Sequence, residues 1–560
     1  MADPAGSRSV RAGGTLDLVL PVVVFAILLV GILYPNVFTV VGSLFPDGTF
    51  SLATYVRFLS TPSSVEALVN SLVISIGTVF FAALIGVPLA FVFHRYDFFG
   101  RRFFRAIASA PVLLPPLVGV IAFMFLYGES GLVSRIIQEL FGLDSPWPRL
   151  AGLPAILFVH SYSMYVYFFL FTGAGLERLD FAIEEASDSL GASRTTTLRR
   201  AVLPMLAPAI IGAALITFMS SMASFSAPYI FGGGIRVLSV EIFNSKLNGE
   251  TPMALVETVV LASASLTVLL LLRWYEGRTR YSAIGKGVAR PRAPITSRWA
   301  RAAAGVAGAG VVTVLILPHL MVILMSFVED GAWTTQLLPP TYTLENYTQL
   351  FERAQFSEPI INSLWMAGAA TGANLVWGLG AVFWLRKQKG LSRKFADALI
   401  ILPWALPGTV VALAMLESFS TLLAGTIVLL PTVYFIRNLP LVYRAIDASF
   451  SQMDPSVEEA SATLGAGTFY TIRRVVLPLV LPGALAGSLL AFIAAFGDFV
   501  TSIMVYVYFN RPISIEILSQ LRAFNYGSAA AYSVFLILVI AISLGLGERV
   551  RTARNVTLMS

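Results

Sequence analysis

The sequence predicts an all-α polytopic membrane protein with about twelve transmembrane helices, arranged as two parallel six-helix repeats. Three observations carry that expectation. Of the 560 residues 57% are hydrophobic and 12% charged, a balance foreign to soluble globular domains. Apolar stretches of spanning length recur from end to end, with Arg and Lys gathered in alternate loops between them. One polar stretch, finally, occurs twice at a fixed separation.

Taken in order, the first half offers spans near 16–42, 67–93, 104–127, 152–176, 203–228 and 254–273. The second half offers 303–327, 360–385, 396–416, 422–443, 478–506 and 527–547. The apolar run from Leu16 is too long for a signal peptide and no small-x-small cleavage site closes it, so it reads as a retained first span. Arg8 and Arg11 precede it, and Arg95, Arg101, Arg102 and Arg105 follow the second span. Arg386, Lys387, Lys389, Arg393 and Lys394 stand at the matching place in the second half, and Arg549, Arg551 and Arg554 near the end. This positive-inside pattern puts both termini of a multi-pass chain in the cytoplasm. It also explains the net charge of +7 without any nucleic-acid partner. Six spans per half make the repeats parallel: 1–272, a basic cytoplasmic linker 273–301 rich in Arg, Gly and Pro, and 302–560.

The duplication is visible residue by residue. Asn70-Ser71-Leu72 recurs as Asn362-Ser363-Leu364 (362 − 70 = 292), and Tyr55, Pro111 and Pro115 recur as Tyr347, Pro403 and Pro407 at that offset. Prolines inside spans three, five and nine are expected to kink them. Beyond the third span the offset falls to 274, which leaves 18 extra residues around 131–149 of the first half. Val133, Ile136, Ile137, Leu140 and Phe141 give that insert an amphipathic pattern suited to a membrane surface.

The repeated polar stretch runs from Asp180 through Glu184, Glu185, Ala186, Ser187 and Gly191 to Arg199, Arg200 and Leu203-Pro204. It returns from Asp454 through Glu458, Glu459, Ala460, Ser461 and Gly465 to Arg473, Arg474 and Leu477-Pro478, at a constant distance (459 − 185 = 274; 478 − 204 = 274). Each copy reads as two short helices around a glycine turn. Asp180 and Asp454 suit an N-cap, Pro455 the first helical position, and the acidic pairs the positive end of the helix dipole. Gly191 and Gly465 can take the left-handed conformation that ends a helix. Ser193 offers a cap for the second helix, and Gly467 a weaker one. A polar hairpin between spans has no core to join, and a merely solvated one has no need to keep Glu, Gly, Arg-Arg and Leu-Pro in register twice. A docking surface for a cytosolic partner with two equivalent faces does.

The pattern Glu-Ala-(Ala/Ser)-x-x-x-Gly, then nine residues, a usually aliphatic position, one residue and Leu-Pro resembles the EAA loop of binding-protein-dependent ABC importer permeases. Glu185, Ala186, Gly191, Leu203 and Pro204 match, as do Glu459, Ala460, Gly465, Val475, Leu477 and Pro478; Ala201 stands where an aliphatic residue is usual. The resemblance covers nearly the whole chain and implies the permease fold of type I importers, fused as two repeats. It implies that the loops couple to two copies of a cytosolic ATP-binding cassette subunit, through Glu184, Glu185, Ala186, Gly191, Arg199 and Arg200 and through Glu458, Glu459, Ala460, Gly465, Arg473 and Arg474. It further implies alternating access in the lipid bilayer of a bacterial or archaeal cytoplasmic (inner) membrane, an extracytoplasmic substrate-binding protein, and ATP and Mg used by the partner ATPase. Fused permeases of this kind resemble ferric iron permeases most, and the run from Ser226 to Ile242 looks like that branch. Thiamine, phosphonate, polyamine or another small solute is the alternative cargo.

Other constellations fail. Gly285-Lys286 is followed by Gly287 and lacks a glycine five residues earlier, so no phosphate-binding loop exists and no enzyme activity or bound cofactor is expected. With no cysteine and three scattered histidines (His94, His160, His319), no metal or catalytic site can be assembled; the histidines read as packing residues. Asp97-Phe98-Phe99-Gly100-Arg101-Arg102 resembles the signature loop of major facilitator transporters, but the matching loop 384–395 has no Asp. An ion-gradient transporter would leave the doubled hairpin unexplained. Acids within spans are costly and mark function; Asp498, its repeat-mate Ser224, Glu257 and Glu417 are the candidates for the translocation pathway.

Overall fold

The computed structural model describes residues 16–46, 48–128, 131–278, 293–333, 336–454 and 456–557. Arg8, Arg11, Pro455, Gly285-Lys286 and the rest of residues 279–292 of the expected linker lie outside the described residues. Among those described, ten helices are long and apolar enough to cross a membrane, and a bent pair makes an eleventh. The twelfth position, expected near 422–443, is held by Leu429–Ser451, a helix of 23 residues and so about 34 Å long. Arg437, Arg444 and Asp447 keep its composition from reading as apolar. It can carry them because it packs between Ala354–Leu385 and Leu477–Phe496.

The two halves repeat element by element. Ala53–Ser60 and Pro62–Arg95 answer to Glu345–Glu352 and Ala354–Leu385; Gly152–Arg178 answers to Leu429–Ser451; Leu238–Leu247 answers to Ile513–Arg522. The insert forms the helix Leu132–Phe141, which has no counterpart among the described residues of the second half. Its buried Arg135 donates to the Gln336 carbonyl (2.6 Å) of the other repeat, leaving Leu140 and Phe141 exposed. Near the linker, Tyr96–Asp97 pairs in parallel with Ala293–Pro294.

Two expectations change. The third span of each repeat is broken rather than kinked. In the first half Arg101–Ala108 and the 3-10 turn Ala110–Leu113 precede Pro116–Tyr127; in the second, Leu391–Ala405 and Gly408–Ser418 meet at 109°. Proline forces the residue before it out of the helical region, and Leu114 (ψ 112°) and Leu406 (ψ 144°) are extended for that reason. The fifth spans, expected at 203–228 and 478–506, end early at Met222 and Phe496. Short helices Ser226–Phe231 and Val500–Val505 follow after a break. Asp498 and Ser224 therefore lie in breaks, not inside a span.

The repeated sequence signatures hold the irregular segments between helices in place. Ser71 Oγ accepts the Leu238 N–H (3.0 Å), and Ser363 Oγ accepts the Ile513 N–H (2.8 Å). Asn70 and Asn362 donate to the carbonyls of Arg236 (3.0 Å) and Arg511 (3.2 Å). Tyr55 bonds Ser43 (2.8 Å) as Tyr347 bonds Ser326 (2.6 Å). Arg236–Glu241 (3.8 Å) and Arg511–Glu516 (2.8 Å) add a matching ion pair. Each leaves fewer polar groups unpaired where the chain departs from regular helix in an apolar surrounding. Helices approach closely where glycine allows it: a side chain at Gly86 would run into the Tyr165 carbonyl.

Candidate functional site

Each polar hairpin is built from its caps inward. Asp180 Oδ1 accepts the Ala182 N–H (3.1 Å) and Asp454 Oδ1 the Ser456 N–H (2.9 Å), opening helices Ala182–Ser189 and Ser456–Thr463. The Ser456 N–H and hydroxyl hold the Asp454 carboxyl below its ordinary pKa. Gly191 (φ 74°) and Gly465 (φ 79°) end the helices in the left-handed region. The following amides close the turn, Ala192 N–H on Ser187 O (3.0 Å) and Ala466 N–H on Ser461 O (3.1 Å). Ser193 caps the next helix through the Thr196 N–H (3.2 Å). Arg199-Arg200 and Arg473-Arg474 then fall in π-turns, Leu198–Val202 and Ile472–Val476. Pro204 and Pro478 explain these, since each lacks an N–H and crowds the carbonyl four residues back; a widened turn absorbs both defects.

The acidic pairs divide their work. Glu185 and Glu459 are exposed, with Ala186, Ala460, Gly191, Gly465 and all four arginines. Glu184 instead turns inward and meets Arg95 at 2.7 Å, anchoring the hairpin to the end of Pro62–Arg95. Its mate Glu458 reaches Arg386 only at 3.8 Å and stays half exposed. Leu190 and Leu464, 87% exposed in both copies, crown the two turns. Sequence reading passed over these leucines, although an apolar residue before the glycine of a polar hairpin, twice, was a legible signal.

A second feature lies deep in the bundle, where the two breaks meet. A cavity of about 380 Å³ is lined from both halves by residues that include the repeat-mates Ser163 and Arg437, Ala223 and Gly497, and Ser226 and Val500. It therefore straddles the pseudo-two-fold axis. Phe225 and Phe499, also repeat-mates, touch there edge to face at 5.8 Å. His160 bonds the Ser224 hydroxyl through Nε2 (2.8 Å) and the Ser221 hydroxyl through Nδ1 (3.1 Å). The Ser224 carbonyl accepts from Ser239 (2.6 Å), and the carbonyl of its repeat-mate Asp498 accepts from Ser514 (2.7 Å) in the matching way.

The pathway candidates separate accordingly. Ser224 lines the cavity. Asp498 does not; its Oδ1 caps Val500–Val505 by accepting the N–H (2.9 Å) and hydroxyl (2.5 Å) of Thr501 and the N–H of Ser502 (3.1 Å), while Oδ2 lies 3.8 Å from Arg437 Nε. Glu417 joins the halves elsewhere, through Lys246 at 2.5 Å. Glu257 is buried on Thr251–Arg278, apart from the cavity. Of the histidines, His94 faces Glu177 (3.2 Å) and His319 the Ala110 carbonyl (3.3 Å), ordinary packing roles; His160 is not one of these. Arg437 and His160 are what sequence reading missed. An arginine inside an expected span was the available signal, and only the acids were weighed.

Comparison with known proteins agrees with this geometry. The family described as binding-protein-dependent transport system inner membrane component matches residues 82–281 and again 374–553, one hairpin in each. A probable ABC transporter permease protein of Sinorhizobium fredii is 28% identical over 98% of this chain and 99% of its own length. The ferric transport system permease protein of Actinobacillus pleuropneumoniae is 26% identical over 94% of this chain and 76% of its own. A molybdate/tungstate transport system permease protein of Thermococcus kodakarensis is 30% identical over 40% of this chain and 83% of its own.

Proposed function

The chain belongs to the binding-protein-dependent transport system inner membrane components, a multi-pass permease of an ABC importer, and from that premise we propose that it forms the cargo pathway by alternating access. The repeats 1–272 and 302–560 act as the two halves of a pseudo-dimer. A separate ATPase, using ATP and Mg, seats its two copies against the paired hairpins from the cytoplasm, where both termini also lie. ATP-driven closure draws the hairpins together, and the halves rock about their shared axis. A binding protein delivers cargo on the other side.

The observation that carries this reading is the doubled exposed surface itself: Glu185, Leu190 and Gly191 on one hairpin, Glu459, Leu464 and Gly465 on the other. A force-transmitting handle must be rigid, and both are capped at each end with their glycine turns closed by hydrogen bonds. The test is co-purification of the full chain with the ATPase encoded beside it, followed by vanadate-sensitive uptake in proteoliposomes. Failure to recover an ATPase on residues around Gly191 and Gly465 overturns the reading.

For cargo, the relative named for ferric transport, matched over 94% of this chain and 76% of its own length, supports ferric iron. The relative matched over one repeat and named for molybdate and tungstate supports an oxyanion as the second reading. Competition between labelled ferric iron and molybdate for uptake separates them.

A further inference from the structure

Arg437 is the one charged residue among the described residues lining the central cavity. Its charge is poorly met. Asp498 comes no nearer than an ion-pair distance of 3.8 Å, and its other oxygen is spent on capping Val500–Val505. Arg437 Nη1 is buried with no hydrogen-bond partner. Ser226, another lining residue and only 2% exposed, has an Oγ that is likewise buried and partnerless. An arginine donor and a hydroxyl left unpaired in the middle of a membrane bundle are costly, and a small turn of each side chain toward the cavity would let a bound acceptor satisfy it. Guanidinium forks suit oxyanions above other ligands.

The rest of the wall agrees. No carboxylate lines the cavity, and no group of His, Cys, Asp or Glu that could hold a metal ion occurs among the described residues. A bare cation would meet only repulsion from Arg437. His160 and Ser163 supply further polar atoms from the opposite repeat, and 380 Å³ leaves room for a small ion with several waters.

We propose that the cavity at the repeat axis is an anion site, in which Arg437 and Ser226 bind a small oxyanion in transit, with Asp498 as the residue that positions Arg437. The oxyanion is either the cargo itself or the counter-ligand of a ferric ion, which deepens the permease reading and rests on it. Asp498 holds the guanidinium in place yet competes with the anion for it.

The test uses the full chain in nanodiscs, with binding of molybdate, inorganic phosphate, ferric iron and ferric iron plus phosphate followed by ligand-induced thermal stabilisation. Arg437→Gln should weaken oxyanion binding about ten- to hundredfold, the value of one charge-assisted bond, and Arg437→Lys less. Ser226→Ala should weaken it a few fold, by roughly the worth of one neutral hydrogen bond, without lowering the unliganded unfolding temperature, because it removes a partnerless hydroxyl. Asp498→Asn keeps a capping oxygen but frees the guanidinium, and should tighten binding; a merely structural Asp498 would not do this. Oxyanion binding alone marks cargo, whereas stabilisation by ferric iron only when phosphate is present marks the counter-ligand. Equal binding of every anion by the wild type and by both Arg437→Gln and Ser226→Ala, or no anion binding by the wild type, overturns the site. Pull-down of the ATPase is scored separately on the same preparations: ATPase bound without anion sinks this inference alone, and no ATPase sinks the permease reading.

Discussion

The two hairpins are predicted to respond unequally to one and the same substitution, alanine for the inward glutamate. In the first, Glu184 and Arg95 meet at 2.7 Å with side chains only 7% and 25% exposed. In the second, Glu458 and Arg386 are 3.8 Å apart and 49% and 36% exposed. With an effective dielectric of about 20, the first pair attracts by about 6 kcal/mol before desolvation, and in water the second by about 1 kcal/mol. Desolvation offsets most of the first term, leaving about 1.5–3 kcal/mol, typical of a hydrogen bond to a charged group. Screening leaves the second between about 0 and 1 kcal/mol. Helix propensity and dipole position are the same at both sites, so they cancel in the comparison. Glu184→Ala should therefore raise local opening of Ala182–Ser189 by about 10- to 150-fold, and Glu458→Ala should raise that of Ser456–Thr463 by less than about fivefold. Amide hydrogen exchange on the full chain in nanodiscs reads both, and ATP-driven uptake should fall in the first variant far more than in the second. Equal loss of protection at the two hairpins would refute the claim that burial of Glu184 anchors the first.

Reversing both outward charges, Glu185→Lys with Glu459→Lys, should uncouple ATP hydrolysis from uptake. The unfolding temperature should stay nearly unchanged, since both side chains are exposed; undiminished uptake contradicts the docking role. Gly191→Ala and Gly465→Ala meet no neighbouring atom within 4 Å, so any cost is backbone strain, about 1–2 kcal/mol each, measurable as faster exchange in the turn. Ser71→Ala should strand the buried Leu238 N–H at about 1–3 kcal/mol, and Ser363→Ala should do the same to Ile513. A lower unfolding temperature in both is expected; none in either means the amides find other acceptors.

Hydropathy and the repeat offset made the span positions and the parallel duplication readable, because burial in lipid needs long apolar helices and paired backbone groups. Caps were readable too: Asp180, Asp454, Gly191, Gly465 and Ser193 act locally, within a few residues of the groups they satisfy. The breaks were not, although Pro115 and Pro407 were seen. A proline kinks or stops a helix depending on whether the neighbours can hold an extended link, and that is tertiary information. Asn70-Ser71 and Asn362-Ser363 were recognised only as a repeat; their purpose, clamping the loop that precedes the next helix, joins residues more than 140 apart. Arg437 was hidden in another way. A hydropathy average dilutes one arginine in an apolar run, and only the fold shows that it faces a cavity.

The duplication also accounts for where the halves agree and where they differ. Clamping residues pair like with like: Ser71 with Ser363, Tyr55 with Tyr347, Glu241 with Glu516. The polar cavity residues do not: Ser163 stands against Arg437, Ser224 against Asp498, His160 against Tyr434. A clamp works within its own half, so symmetry serves it. A charge near a two-fold axis is different, because exact symmetry would place a second arginine across the same small cavity. Two guanidinium groups there would repel and would each need a carboxylate, filling the space meant for cargo. Two identical chains cannot escape that doubling, whereas two halves fused in one chain can. Replacing Ser163 by Arg tests the point: anion affinity in the nanodisc assay should fall or the fold should weaken, and a variant that is stable and binds more tightly would show that a single charge is not what the fusion protects.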